Sequence, residues 1–206
     1  MPREVLHLAP DDARRVPWKN GRGVTEELAL FPEHASFERG DFSWRISKAA
    51  VDADGAFSSF PGFERILVVT RGAGLVLTHG DEASRARLRA LEPYRFSGDW
   101  STEGALVRGP VSDFNVIFRR DVVEAEVEVL RLGRRRALET ADAAHVFAHA
   151  LVGGVTARVT GEEEPFELDE GDSLWIRKAR TTEEFELAGS AEGCVVLLVR
   201  VGPSRG

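Results

Sequence analysis

The sequence predicts an all-β chain arranged as a double β-barrel with few short helices. Short strand-like segments run along the whole chain, turns rich in glycine, proline and aspartate separate them, and stretches with helical period are scarce. A weak internal repeat also relates residues 68–99 to residues 149–176. Each copy has a strand, a glycine turn, a second strand, a polar loop and a turn leading to an aromatic residue. An offset of about 80 residues suits two small barrels.

Alternation of apolar and polar residues marks the individual strands, because successive side chains point to opposite faces. In residues 41–49, Trp44 and Ile46 alternate with Arg45 and Ser47. Residues 82–91 carry a short helical pattern, but strand signals flank it on both sides. Further strands are predicted within residues 65–80 (two strands around a tight turn), 113–120, 145–161, 172–179, 182–189 and 193–202.

The charged segment 131–139 is predicted to join two domains. The N-terminal barrel then covers residues 1–130, and a smaller C-terminal barrel covers residues 131–206 and packs with it as one unit. Arginines in this segment indicate a solvated connector rather than a nucleic-acid contact.

Composition limits the classes of partner and the compartment. The chain has 206 residues, 43% hydrophobic and 30% charged, which is enough material to bury a substantial core. Its net charge of −7 disfavours binding to nucleic acid and to membrane surfaces, because both are themselves anionic. The single cysteine cannot form an internal disulfide. No apolar run is long enough to span a bilayer, and the N-terminus lacks a signal-peptide pattern. These features predict a soluble cytoplasmic protein, with a homodimer as one option.

Metal and covalent chemistry find little support in the sequence. His145 and His149 would lie about 13 Å apart on one strand, too far to share an ion. His79 is placed in a loop, and Cys194 lies in an apolar strand where it acts as a small hydrophobic residue. No nucleophile elbow, Walker A loop or dinucleotide fingerprint is present. We therefore expect no metal, no cofactor and no catalytic nucleophile.

Polar side chains on three predicted strands form the strongest candidate site. Because the side-chain period is two, each set faces either solvent or the barrel interior. Large apolar residues on both faces of these strands favour the interior, where polar groups must pair with one another or bind a ligand. An inward arginine beside amide and hydroxyl groups suits a carboxylate. The candidates on these three strands are Thr25, Glu27, Arg45, Ser47, Asp113 and Asn115. Arg65 opens a fourth strand, could face either way, and is a further candidate.

Residues 15–28, "RVPWKNGRGVTEEL", add a glycine-rich turn with more polar groups than a hairpin needs. We expect its glycines to bring backbone N–H groups close to a ligand. Lys19 and Asn20 are predicted to lie at the rim of the site.

The segments "VPWKNGRGVTEEL", "FSWRISKAAVDADGAFSSFPGFERILVV", "FSGDW" and "GPVSDFNVIFRR" together resemble the HutD/Ves family. The resemblance runs in order from about Arg15 to Arg120 and is looser in the second half of the chain. In this chain Arg22 stands where the family usually has glycine. The other positions that match the motif are Trp18, Lys19, Asn20, Gly21, Gly23, Thr25, Trp44, Arg45, Ser47, Gly55, Phe57, Ser58, Phe60, Pro61, Gly62, Arg65, Phe96, Gly98, Asp99, Gly109, Pro110, Asp113, Asn115 and Arg119.

The resemblance implies a bicupin (RmlC-like cupin) fold and a role in modulating bacterial histidine utilisation without catalysing a step. The expected ligand is a small carboxylated metabolite of the urocanate or N-formylglutamate type, bound without metal. In that site Arg45 would hold the carboxylate, and Asp113 or Glu27 would accept an N–H. Three alternatives stay open: a metal-free isomerase or hydrolase with Glu27 or Asp113 as base, a metal-dependent oxygenase, and a polar cluster that only holds the two barrels together.

Overall fold

The computed structural model describes residues 3–17, 24–80, 84–133, 136–139 (backbone), 143–177 and 184–204. Within these ranges the chain forms nineteen strands and one 3₁₀ helix, Pro10–Asp12. The strands up to the middle of the chain are β1 (Glu4–Leu8), β2 (Arg14–Pro17), β3 (Val24–Phe31), β4 (Trp44–Val51), β5 (Gly55–Phe57), β6 (Phe63–Arg71), β7 (Leu75–His79), β8 (Arg85–Leu88), β9 (Tyr94–Ser97), β10 (Thr102–Leu106) and β11 (Val111–Arg119). Those that follow are β12 (Val123–Leu132), β13 (Arg136–Glu139), β14 (His145–Val152), β15 (Val155–Val159), β16 (Phe166–Leu168), β17 (Ser173–Arg177), β18 (Glu184–Gly189) and β19 (Cys194–Pro203).

Two compact units divide the chain, and each contains two sheets. The first unit comprises residues 13–123, with a six-stranded sheet β2-β3-β4-β11-β6-β9 and a four-stranded sheet β5-β10-β7-β8. The second comprises residues 3–12 and 124–204, with sheets β1-β17-β14-β19-β12 and β13-β18-β15-β16. Strand β1 belongs to the second unit because it pairs antiparallel with β17, although the sequence-based division placed it in the N-terminal half.

The all-β prediction is confirmed. Each predicted strand segment contains at least one strand of the structure, and residues 85–88 of the short helical pattern form β8. The strand pairings form open sheets, so closure into a double barrel is not confirmed.

The internal repeat corresponds to a shared strand order. In the first unit β6 lies between β11 and β9, and β7 lies between β10 and β8. In the second unit β14 lies between β19 and β17, and β15 lies between β18 and β16. A glycine with positive φ follows the first strand of each copy: Gly72 at 107° and Gly153 at 71°. A side chain at Gly72 would come within 2.6 Å of the carbonyl oxygen of Pro110, so this turn requires glycine.

The two sheets of the first unit pack face to face through an apolar core. Leu67 and Val69 from the larger sheet contact Leu75, Leu77 and Leu88 from the smaller one. Aromatic residues form a second cluster, in which Phe37 and Phe60 pack against Phe42, Phe63 and Ile117. The face of β6 that carries Leu67 and Val69 is the inner face of this unit.

Candidate functional site

The central strand β11 aligns the predicted polar residues on the inner face. Ile117 lies opposite Arg45 of β4 on one side and Arg65 of β6 on the other. Directly opposite residues in an antiparallel pair share a face, so both arginines point the same way as Ile117. Since adjacent strands are about 4.8 Å apart, the two arginine backbones are roughly 10 Å apart across β11.

The remaining strand candidates join this face through the same register. Asn115 lies opposite Ser47, which in turn lies opposite Glu27 of β3. Asp113 lies opposite Ala49, and Thr25 lies opposite Ala49 on its other side. The prediction that these polar strand faces point inward agrees with this arrangement, because Asn115 also lies opposite the core residue Leu67.

Arg45 is held in place on two sides. Its Nε donates a 2.6 Å hydrogen bond to Oε2 of Glu27, and its guanidinium carbon lies 4.3 Å from the ring centre of Phe37. Both charged side chains are buried, with 4% of Arg45 and 8% of Glu27 exposed. Burial lowers the pKa of Arg45, and Glu27 opposes this shift. The Nη2 atom of Arg45 is buried without a hydrogen-bond partner in the described part of the chain.

Arg65 is buried more completely among aromatic rings. Its guanidinium carbon lies 5.0 Å from the ring centre of Phe96 and just over 5 Å from those of Phe57 and Phe60. Nη1 donates to the carbonyl oxygen of Ser58 at 3.1 Å, while Nε has no hydrogen-bond partner among the described residues. Burial lowers the pKa of Arg65 to about 10, against the attraction of Asp113. In the described ranges no carboxylate forms an ion pair with this arginine.

Asn115 places an acceptor on the strand between the two arginines. Its Oδ1 atom is buried and has no hydrogen-bond partner within the described ranges. The inner face therefore presents two cationic donors and one amide acceptor whose hydrogen-bonding capacity is not used by the described residues.

Asp113 lies where the inner face meets a surface groove. Its side chain is 4% exposed, and burial raises its pKa to about 7 even though Arg65 acts in the opposite direction. The groove has a volume of about 420 Å³. Its lining residues are Arg15, Val24, Glu26, Lys48, Ala49, Ala50, Asp52, Thr70, Ser112 and Asp113.

His79 belongs to the same interior, although the sequence analysis placed it in a loop. It is the last residue of β7, is 5% exposed, and faces inward with Leu75 and Leu77. Nδ1 lies 2.9 Å from the Thr102 hydroxyl, and Nε2 lies 3.1 Å from the Tyr94 hydroxyl. Burial and the nearby charge of Arg65 lower the pKa of His79, so both favour the neutral form of the ring. The period-two pattern of "LVLTH" was the signal that could have placed it inside.

Two of the predicted site residues are not located. Lys19 and Asn20 lie outside the described residues, as does the rest of segment 18–23. That segment connects β2 to β3, whose ends Pro17 and Val24 lie opposite each other, and Val24 also lines the groove.

The second unit has polar contacts of its own. Nε2 of His7 lies 2.8 Å from Oδ2 of Asp172, and Nδ1 of His149 lies 2.9 Å from the Ser173 hydroxyl. Cys194 is buried, as predicted. No three histidine, cysteine, aspartate or glutamate side chains converge as metal ligands among the residues that the structure describes. The described helical segments include none long and apolar enough to cross a membrane.

Several known proteins resemble this chain. Protein Ves of Citrobacter koseri is 38% identical over 122 residues, which are 57% of this chain and 61% of that protein. A conserved protein of unknown function from Pseudomonas aeruginosa PAO1 superposes with a TM-score of 0.85 at 30% identity, covering 97% of this chain and 99% of its own. HutD from Pseudomonas fluorescens SBW25, in a formate condition, gives a TM-score of 0.80 at 28% identity over 98% and 100% of the two chains.

Fold-level similarity extends to a cupin-like enzyme. Oxalate decarboxylase of Bacillus subtilis superposes with a TM-score of 0.65 at 10% identity, over 95% of this chain and 76% of its own. At that identity the likeness concerns the fold alone. The model of the HutD family matches residues 10–196. This chain therefore belongs to the HutD family and has a cupin-like, all-β fold.

Proposed function

We propose that this chain is a non-enzymatic sensor that binds a small carboxylated metabolite between the two sheets of residues 13–123. The observation that carries this proposal is the pair of buried arginines with unused donors, Arg45 Nη2 and Arg65 Nε. Leaving a buried donor unpaired costs roughly 1–3 kcal/mol, and more when the group is charged. A ligand carboxylate between the arginines offsets that cost with charge-assisted hydrogen bonds.

The two arginines have different roles in this proposal. Glu27 already compensates Arg45, so Arg45 is an oriented donor with one nitrogen left for the ligand. Arg65 has aromatic contacts and one backbone acceptor instead of a carboxylate partner, so it gains more from an anion. Asn115 Oδ1 accepts an N–H from the ligand, and Ser47 lies beside it as a further polar contact.

Membership of the HutD family links the chain to histidine utilisation. We accordingly place the ligand among the carboxylated intermediates of histidine degradation, of the urocanate or N-formylglutamate type, with Lys19 and Asn20 at the rim of the site. Ligand occupancy would then modulate the pathway. No metal or cofactor takes part in this scheme.

Isothermal titration calorimetry with urocanate, N-formylglutamate and formate, each with and without EDTA, tests the proposal. We expect one of the larger anions to bind independently of EDTA, and Arg65→Gln to weaken it by roughly 2–5 kcal/mol, a 30-fold or greater loss of affinity. Arg87→Gln is the matched control, because Arg87 is exposed on β8. Unchanged affinity in Arg65→Gln, or failure of all three anions to bind wild type, contradicts the proposal.

A second candidate function rests on Asp113. A carboxyl group whose pKa is about 7 is suited to general acid–base catalysis at neutral pH. A metal-free isomerase or hydrolase would use this group on the same bound metabolite. Steady turnover of urocanate or N-formylglutamate that is lost in Asp113→Asn would establish this activity, while binding without turnover favours the sensor.

A further inference from the structure

Asp113 combines a buried position with a route to solvent. A register shift between β11 and β6 occurs at Ser112 and Asp113, where Ser112 lies opposite Arg71 and Asp113 lies opposite Val69. The extra residue on β6, Thr70, donates a hydrogen bond from its hydroxyl to the carbonyl oxygen of Ser112. Because a bulge turns the local backbone, Asp113 lines the groove at this point even though its side chain is only 4% exposed.

Among the residues that the structure describes, no cation contacts the Asp113 carboxyl group. Its opposite neighbours are Ala49 and Val69, and it forms no hydrogen bond or ion pair within the part of the chain that the structure describes. An isolated buried carboxylate is strongly disfavoured, so the protonated form is the one that this position accommodates.

The charged and titratable groups around Asp113 can be assigned strand by strand. From the larger sheet, the strand register places six charged or titratable groups on its face: Arg14 (β2), Glu27 (β3), Arg45 (β4), Arg65 (β6), Tyr94 (β9) and Arg119 on β11 itself. From the opposing sheet, β7 contributes His79, while the inward positions described on β5, β8 and β10 carry no charge. On the groove side lie Arg15, Glu26, Lys48 and Asp52, of which Glu26 and Lys48 form an ion pair at 3.1 Å.

We infer that the anion bound in this interior enters together with one proton, which Asp113 takes up from solvent through the groove and holds while the ligand is bound. The inference rests on the proposed function, since it concerns the same site. It assigns to the site an affinity that is linked to the uptake of one proton.

The physical reason lies in Arg65, the one cation among the described residues whose charge stabilises the Asp113 carboxylate. A ligand carboxylate on Arg65 engages that cation and adds a second negative charge to the same water-poor interior. Two anions cannot both be compensated there, so binding raises the proton affinity of Asp113 further. In the overall step, the protein binds the ligand anion and takes up one proton from solvent. That proton forms the O–H bond of Asp113, and no other covalent bond changes.

Proton linkage makes affinity depend on pH with a known sign. Above neutral pH the free protein has an ionised Asp113 and must gain a proton when the anion binds. The association constant then falls up to tenfold for each pH unit. With Asn at position 113 there is no proton to gain, and the affinity becomes insensitive to pH in this range.

Calorimetry in two buffers of different ionisation enthalpy, near pH 8, measures the proton taken up on binding. N-formylglutamate and formate are the probes, because their carboxyl groups are fully ionised there and any proton goes to the protein. We expect close to one proton per site in wild type and in Glu103→Gln, a matched control on the exposed face of β10, and none in Asp113→Asn. Carbon-13 NMR of the Asp113 carboxyl group in wild type gives the same information without a variant, as a shift to the protonated form at saturation.

The outcomes separate the two proposals. Binding without proton uptake, or uptake that persists in Asp113→Asn, overturns the proton linkage and leaves the proposed function intact. Failure of both probes and of urocanate to bind wild type contradicts the proposed function and the linkage with it.

Discussion

Replacing Asp113 by asparagine should stabilise the fold at and above neutral pH. The folded protein shifts the pKa of this carboxyl group from 3.8 to about 7, chiefly because the group is buried. A shift of about 3 units corresponds to about 4 kcal/mol between the two protonation states. Asparagine keeps the shape of the protonated acid and carries no charge at any pH.

The pH dependence follows from proton binding in the two states. Between about pH 4 and pH 7 the folded protein holds the Asp113 proton and the unfolded chain has lost it, so the free energy of unfolding falls as pH rises. Below this window the contribution of Asp113 is fully present, and above it the loss is complete. Wild type should therefore lose up to about 4 kcal/mol relative to Asp113→Asn on going from about pH 4 to pH 8.

Urea unfolding of both proteins across this range measures the effect, because the difference between their curves cancels the contribution of every other titratable group. Glu103→Gln controls for the loss of an exposed carboxyl group. A difference between wild type and Asp113→Asn that stays constant with pH would refute the reasoning. Asp113 would then be ionised and compensated in the folded protein.

Three further predictions concern stability. Arg65→Met should leave the free energy of unfolding unchanged or increase it by roughly 1–4 kcal/mol, because it removes a buried charge that has no ion pair among the described residues. Urea unfolding measures this effect, and marked destabilisation would contradict it. Calorimetry of the same variant should show loss of anion binding. His79 has a lowered pKa, so the unfolded chain takes up its proton first and the contribution of His79 to stability should fall as pH drops below about 6.5. The difference in free energy of unfolding between wild type and His79→Gln, measured by urea unfolding, should therefore shift against wild type as pH drops, and a constant difference would contradict this. Gly72→Ala should lower the thermal midpoint more than Gly40→Ala. Both glycines have positive φ, but only at Gly72 would the added methyl group clash with a backbone oxygen. Equal midpoints of the two variants would contradict this clash.

Local periodicity was enough to predict most strands and the direction of the polar side chains. In "SWRIS" and "DFNVIF" both faces are apolar enough to be buried, which made an inward arginine and asparagine the consistent interpretation. The register that places Arg45 and Arg65 on either side of Ile117 depends on three strands far apart in sequence. Alternation within one strand carries no information about such pairing.

Three further features could be recognised only in the tertiary structure, because each depends on pairing between strands that are far apart in sequence. The bulge at which Asp113 lines the groove is a mismatch between two strands, and neither strand sequence alone shows it. The contacts of His79 with Tyr94 and Thr102 come from two other strands, and β1 joins its sheet through β17, more than 160 residues later. Each is a long-range pairing that composition and spacing leave open.

The second unit provides an internal comparison for the polar interior of the first. Arg65 lies seven residues before Gly72, and Val146 lies seven residues before Gly153, so the two residues occupy corresponding positions in the two units. Val69 pairs with Asp113 in the first unit, and the corresponding Ala150 pairs with Val196 in the second, so Asp113 corresponds to Val196. By the same comparison of strand positions, Asn115 corresponds to Leu198 and His79 corresponds to Val159. The second unit thus builds the same strand order around aliphatic side chains at the positions that are charged or polar in the first.

This comparison bears on the alternative in which the polar cluster is only structural. Four aliphatic residues fill these places in the second unit, so the strand order does not require arginine, aspartate, asparagine or histidine there. Keeping them buried costs free energy, because charged groups lose hydration that the described contacts replace only in part. A purely structural cluster would pair all its members, yet Arg45, Arg65 and Asn115 each retain a buried atom that no described residue hydrogen-bonds. Unused donors beside an unused acceptor are what a site for a small polar anion requires, and the first unit is where we expect the ligand.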